Sequence, residues 1–241
     1  MSMAWLPAAV NAFTCRFDPA LLAPLQQAWA GLAPLLSGQP ELLAGGFYRN
    51  QPLNADFQLV SYDTDPLFWI SPRHAQPFAL FEAFGDGLQG AGLQPQLRQL
   101  LDCRKKVALY GGFFVAGDRL EEAIWHHDYR PGAQGYTLIT PLTKLAPDHG
   151  GLCYQTPGGQ TLRYAYTLGE AIVLGADFLH STEPYGPSAE LRVLLSLTLG
   201  SDKMKHWPLL KPNIAEQASF FRLPCGHVAG QCRCETRRWP F

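Results

Sequence analysis

The segment Trp125-His126-His127-Asp128-Tyr129 places a histidine and an aspartate two residues apart. In an extended chain, residues so spaced point to the same side, so His126 and Asp128 can share one metal ion while His127 points away. The third ligand should be a histidine on a later strand or at its end. His180 meets that condition, because it closes an apolar run from Gly169 to Leu179 that reads as a strand and turn. Two imidazoles and a carboxylate on one face of an octahedral ion leave three positions open. A ferrous ion uses such positions to take up a chelating co-substrate and then dioxygen. Arg192 stands alone in the apolar strand that follows, Leu191 to Leu199. A guanidinium there is costly unless paired, and a carboxylate is its best bidentate partner. The bland alternative is a salt bridge to Glu170 or Glu190; otherwise the missing carboxylate belongs to a ligand.

These residues need a frame that brings distant strands together. After Cys103 the chain is written in short apolar or alternating runs separated by Gly, Pro and Asp, the pattern of strands and turns. The runs are Lys106 to Val115, Tyr136 to Leu142, Thr161 to Tyr166, Glu170 to Leu174 and Leu191 to Leu199, and they predict a sandwich or barrel of the jelly-roll kind. Before them, Leu21, Leu22, Leu25, Ala28, Trp29, Leu32 and Leu36 recur at helical spacing, with Asp18 as N-cap and Pro19 in the first turn. A looser region rich in Pro, Gly and Gln follows, with a short strand expected at Phe57 to Tyr62 and a helix around Pro95 to Leu101. The expected organisation is one domain. Residues 1–104 form a helical N-terminal part, 105–203 a jelly-roll core and 204–241 a Cys-rich extension.

The ordered set His126-x-Asp128, a distant His180 and then Arg192 resembles the Fe(II)/2-oxoglutarate-dependent oxygenase superfamily. The closer likeness is to its phytanoyl-CoA dioxygenase branch. There the first motif is followed by a strand, an acidic turn ending in Gly-x-Leu, and His-x-Ser before the Arg. This chain offers Tyr136 to Leu142, then Pro147-Asp148-His149-Gly150-Gly151-Leu152, then His180-Ser181-Thr182, then Arg192. The likeness runs from about Lys105 to Gly200 and leaves both ends uncovered. It implies a double-stranded β-helix with N-terminal helices packed on one sheet, Fe(II) on His126, Asp128 and His180, and the distal carboxylate of 2-oxoglutarate on Arg192. Thr182 would add a hydroxyl to that carboxylate, and Tyr110 would make a further co-substrate contact. The chain departs from relatives ending in Arg-x-Ser, because Leu194 stands where their serine does. The implied reaction is hydroxylation of a small molecule or peptide, with release of succinate and carbon dioxide. Desaturation, cyclisation or epoxidation on the same fold, and a non-enzymatic cupin-like binding protein, are the alternatives. Asp128 occupies the position that related halogenases leave to a small residue, which disfavours halide ligation.

In the tail, Cys225, His227, Cys232 and Cys234 offer four soft ligands to a structural zinc ion, although the spacing matches no common finger. Free thiols are the competing reading. Trp125 and Tyr129 flank the ligands and are candidates for the pocket wall; with Trp207 they are core aromatics by default. Lys and Arg total 19 against 20 Asp and Glu in 241 residues, which gives no charge excess to attract nucleic acid or an anionic membrane. The opening residues show no basic start or cleavage pattern of a secretory signal, and no run reaches membrane-spanning length. A soluble, cytoplasmic protein with reduced thiols is expected.

Overall fold

A computed structural model describes residues 3–9, 11–38, 48–62, 65–90, 92–188 and 190–235. Part of the Pro- and Gly-rich stretch after the first helix, residues 39–47, and the last residues of the tail, 236–241, lie outside the described residues. The strands are β1 (Met3–Trp5), β2 (Ala12–Arg16), β3 (Arg49–Pro52), β4 (Phe57–Tyr62), β5 (Asp65–Pro72), β6 (Val107–Gly117), β7 (Gly135–Pro141), β8 (Leu152–Gln155), β9 (Thr161–Tyr164), β10 (Glu170–Gly175), β11 (His180–Thr182) and β12 (Arg192–Ser201). The helices are α1 (Ala23–Ser37), α2 (Ala75–Gly90), α3 (Leu93–Leu100) and α4 (Trp207–Gln217).

Two sheets result. Nine strands run in the order β1-β2-β10-β7-β12-β6-β5-β4-β3, and three in the order β11-β8-β9, all antiparallel. Alternation along the strands gives the large sheet two faces. Phe13, Val173, Leu138 and Leu197 are register partners across β2, β10, β7 and β12, and all belong to the core on which the helices lie. The next row, Thr14, Ile172, Ile139, Ser196 and Phe113, points the other way, toward the small sheet. Leu152, Tyr154, Ile172, Leu174 and Phe178 fill the space between the sheets. This is the jelly-roll arrangement that the strand spacing predicts.

The helical side follows from sequence period. Asp18 accepts a hydrogen bond from the backbone N–H of Ala20 and starts a 3-10 turn, Pro19–Leu22, that leads into α1. Leu25, Trp29, Leu32 and Leu36 are buried at helical spacing, with Trp29 against Phe114 of β6 at 5.6 Å between ring centroids. Helix α2 enters the same core through Phe81, Phe84 and Leu88. Its Phe81 ring lies so close to β6 that a Cβ on Gly112 would come within 2.5 Å of it, so a side chain there would displace the helix. The N-terminal part is not only helical: β1 and β2 extend one edge of the large sheet, and β3, β4 and β5 the other. Among the described residues no helix is long and apolar enough to cross a membrane.

Candidate metal and co-substrate site

Strand β11 is short, and its place is fixed from both sides. It pairs with β8, and the backbone of His126 exchanges hydrogen bonds with that of His180 at 2.9 and 3.1 Å. A second bridge joins Leu120 to Tyr185. The segment before the His-x-Asp motif therefore runs beside β11 like a further strand of the small sheet, and the two imidazoles stand 4.4 Å apart between ring centroids.

Each ring is oriented by a carbonyl close to it in sequence. Nδ1 of His126 lies 2.9 Å from the Ile124 oxygen, and Nδ1 of His180 lies 3.0 Å from the Phe178 oxygen. Those distances place a donated proton on Nδ1 and turn each Nε2 toward Asp128. The Nε2 atoms of His126 and His180 are 3.5 and 3.6 Å from Asp128 Oδ1. Such separations are too long for good hydrogen bonds, yet the three ligand atoms lie within 4.8 Å of one another, close enough to hold one ion. Burial pushes the Asp128 carboxyl up, but His180, His126 and a hydrogen bond involving Thr137 outweigh it and bring the group down to about 2. Burial lowers His180 below its ordinary 6.5, with Asp128 opposing. The arrangement at neutral pH is a carboxylate facing a neutral buried imidazole, both ready to bind a cation.

The triad opens on a cavity of about 260 Å³ between the two sheets. Phe113, Ile139, Leu194 and Ser196 form its floor on the large sheet, while Tyr166, Ser181 and Thr182 join the ligands on the small-sheet side. Thr182 lies two residues from His180 on β11 and faces the same way. At the opposite end, Tyr62, Leu67 and Trp69 meet Ile124 and the end of α4, Glu216 and Gln217. Tyr62 donates to the Glu216 carbonyl at 3.0 Å, which ties that helix end to β4.

Arg192 begins β12 on the side of the sheet shared by Leu194 and Ser196 and is fully buried. Its guanidinium lies 5.4 Å from the ring centre of Tyr166 and 5.6 Å from that of Tyr185. It does not form the cavity wall itself, whereas Tyr166, over whose ring the guanidinium lies, does. Nε donates to the Gly150 carbonyl at 3.2 Å, whereas Nη1 and Nη2 are buried with no hydrogen-bond partner among the described residues. The salt bridge to Glu170 does not form, because Glu170 pairs with Arg16 at 2.9 Å; Glu190 is exposed and makes no ion pair with Arg192. Gly150 brings its carbonyl to Arg192 with φ +72°, and a Cβ there would come within 2.8 Å of Tyr185 and the Glu183 carbonyl.

The structure thus brings His126, Asp128, His180 and Thr182 to one cavity, with Arg192 just behind it. Tyr110 is not brought there. Its hydroxyl donates to the Ser201 carbonyl and its ring packs on Trp207, in a separate core under α4. Tyr129 is buried in that same core and Trp125 is exposed, so neither lines the cavity, whereas Trp207 is the core residue expected. In the tail, Cys225, His227, Cys232 and Cys234 do converge, with ligand atoms within 4.8 Å. The motifs did not reveal Tyr166, the β4–β5 wall or the end of α4. Tyr62 and Tyr166 alone carried a signal, each as the last residue of a run that reads as strand.

No protein-family model matches the chain, and no curated protein matches it. Solved structures do. EvdMO1 superposes with TM-score 0.51 at 16% identity, over 80% of this chain and 48% of that one, so this chain spans about half of its length. EvdO2 of Micromonospora carbonacea var. aurantiaca, solved with 2-oxoglutarate, gives 0.51 at 13% identity over 79% and 86% of the two chains. The apoform of EctD from S. alaskensis gives 0.50 at 16% identity over 80% and 73%. The chain has the fold that its motifs imply, a double-stranded β-helix shared with these structures.

Proposed function

We propose that this chain is an Fe(II)- and 2-oxoglutarate-dependent oxygenase, a single domain that hydroxylates a small molecule. His126, Asp128 and His180 hold the iron, and Arg192 with Thr182 binds the carboxylate of 2-oxoglutarate farthest from it. One observation carries the reading. A guanidinium with both terminal nitrogens unsatisfied is buried behind the cavity onto which a two-histidine, one-carboxylate set opens. Buried polar groups are nearly always paired, so the pair of orphan donors marks a place for a bidentate anion. When bound, the iron and its co-substrate supply the oxidising chemistry, with dioxygen consumed and succinate and carbon dioxide released. The chain's own part is to fix the two ends of the co-substrate, keep the buried His180 imidazole neutral, and screen the site with the apolar floor.

A cavity of about 260 Å³ lies at the small end for ligand sites, which favours a small molecule over a peptide. Tyr62, Leu67, Trp69 and Ile124 offer its substrate end apolar and aromatic surface, and Glu216 and Gln217 offer polar groups. None of the six cysteines is in a disulfide, in keeping with a cytoplasmic enzyme. The test is anaerobic addition of Fe(II) and 2-oxoglutarate, which should produce a metal-to-ligand absorption band. Small metabolites are then screened for succinate release, and products are analysed to separate hydroxylation from desaturation, cyclisation or epoxidation. Failure to form the band at saturating co-substrate would refute the assignment.

A further inference from the structure

A second set of ligands lies far along the chain from the cavity motifs. After α4 the chain crosses back over the protein. The Ser219 hydroxyl donates to the Pro72 carbonyl at 3.0 Å, and the Arg222 backbone N–H to the Tyr110 carbonyl at 2.7 Å. A tight turn follows: Leu223 donates to the His227 carbonyl and Gly226 to that of Leu223, both at 2.8 Å, and Arg222 bridges Val228. Cys225 and His227 come from this turn. Cys232 and Cys234 come from the next, at the start of a 3-10 turn, Arg233–Glu235.

The spacing of the four ligand atoms is that of a coordination sphere. Zinc bonds of about 2.3 Å to sulfur and about 2.0–2.1 Å to nitrogen, placed tetrahedrally, put sulfurs about 3.8 Å apart and sulfur and nitrogen about 3.5 Å apart. Cys225 Sγ and Cys232 Sγ are separated by 3.9 Å, and His227 Nδ1 lies 3.3 Å from each. The sulfurs are too far apart for a disulfide. A multi-iron cluster would spread the ligands more widely, since each thiolate caps a different iron. The backbone N–H of Cys234 lies 3.3 Å from Cys232 Sγ, a donor placed to steady a thiolate.

We propose that Cys225, His227, Cys232 and Cys234 bind one structural zinc ion that pins the C-terminal segment onto the large sheet. The described part of that segment, after α4, has no helix beyond the 3-10 turn and no strand beyond the single bridge, so the metal supplies the cross-link that a ladder otherwise would. Its consequence reaches the cavity. Leu223 and the cysteines pack against Trp207, Leu210 and Ile214 of α4, the helix whose last residues, Glu216 and Gln217, line the cavity wall. The zinc proposal stands apart from the oxygenase reading, because the two ligand sets share no residue.

Metal analysis of the full chain, prepared without chelator, should find one zinc ion per chain. The zinc should persist in Asp128→Ala and be lost in the paired variant Cys232→Ser/Cys234→Ser. Replacing the zinc with cobalt(II) should give thiolate-to-cobalt charge transfer and the intense d–d bands of a tetrahedral site. Stripping the metal should make the region after Gln217 the first point of proteolytic cleavage. Absence of zinc, its retention in the paired variant, or recovery of Cys225 and Cys232 as a disulfide would each overturn the proposal. Should the paired variant fail to fold, the cobalt spectrum of the unmodified chain decides: no thiolate-to-cobalt band means no such site.

Discussion

Replacing Arg192 with leucine separates a ligand-binding guanidinium from a structural one, because the two roles move stability in opposite directions. In the absence of co-substrate, Nη1 and Nη2 are buried without partners, and only Nε is bonded, to the Gly150 carbonyl. A buried charge so poorly matched is a burden on the fold, and an apolar side chain of similar size should leave stability unchanged or raised. With 2-oxoglutarate present the order reverses. A hydrogen bond to a charged group contributes about 1.5–3 kcal/mol, and losing the bidentate contact should weaken binding about tenfold to a hundredfold. At a ligand concentration one hundred times the parent Kd, binding stabilises the parent by about 2.7 kcal/mol, and the variant by only about 0.4–1.4 kcal/mol. For a domain of this size each kcal/mol moves Tm by about 2–4 °C, so the difference is readily measured. The assay is a thermal melt of both proteins with Mn(II) as a redox-inert metal, with and without 2-oxoglutarate. A variant that melts lower than the parent without ligand, yet gains as much from 2-oxoglutarate, would refute the reasoning and make Arg192 a structural residue.

Three further perturbations test the rest of the site and its frame. Asp128→Ala should abolish turnover and weaken iron binding, with little change in the Tm of the metal-free protein; iron titration and a melt check both, and normal iron affinity would contradict the triad. Gly150→Ala places a methyl against Tyr185 and the Glu183 carbonyl at a positive φ, so urea unfolding should show a loss of about 2–4 kcal/mol. Weaker 2-oxoglutarate binding should accompany it. Asp202 accepts hydrogen bonds from the backbone N–H groups of Lys105 at 2.7 Å and Lys106 at 3.1 Å, and from that of Arg104. Its carboxyl is lowered from 3.8: burial pushes it up, and the three N–H groups outweigh that. The stabilisation is therefore fully present above pH 3.8 and is lost as pH falls below it. Asp202→Asn should cost about 1.5 kcal/mol at pH 7, the low end for a charged acceptor because the site is partly exposed. The gap between the urea midpoints of parent and variant should narrow at pH 3.

The parts legible from sequence share a physical reason. Where one face of an element is buried, its period is written in the residues, so α1, β4, β6, β7, β10 and β12 fall close to where their patterns place them. The candidate ligands are legible because a metal would restrict residue type as well as spacing. Helix α2 escaped because Pro77 near its start and Gly85, Gly87 and Gly90 along it read as turn residues, while the buried Phe78, Phe81, Phe84 and Leu88 that define its inner face fall among them. Strands β8 and β11 are only 4 and 3 residues long, too short to show a period. Tyr110 misled for a different reason. Its strand β6 falls where the pattern places it, but Tyr110 lies near the start of that strand, before the Phe113 and Val115 that line the cavity, and is covered there by Trp207, a long-range contact that no local residue choice announces. The proposed substrate end of the cavity combines Tyr62, Trp69, Ile124 and Gln217 from four separate stretches, a juxtaposition that only tertiary structure creates.

The two ends of the cavity differ in how firmly they are held. Arg192 sits on β12, which pairs with β6 and β7 on its two sides and whose ten residues are all buried. A strand so constrained can keep an unsatisfied guanidinium in place, because moving it would break ladders on both sides. Across the cavity, Ile124 lies on a loop joined to the sheet by isolated bridges, and Glu216 and Gln217 end a short helix. Local opening is easiest where few backbone bonds and little apolar packing resist it. On the proposed function, a rigid co-substrate end and an adaptable substrate end follow from that difference. Changes at Ile124 or Gln217 should therefore alter which substrate is accepted while leaving the 2-oxoglutarate-dependent thermal shift intact, and an equal loss of that shift in either variant would argue that the two ends are not separately held.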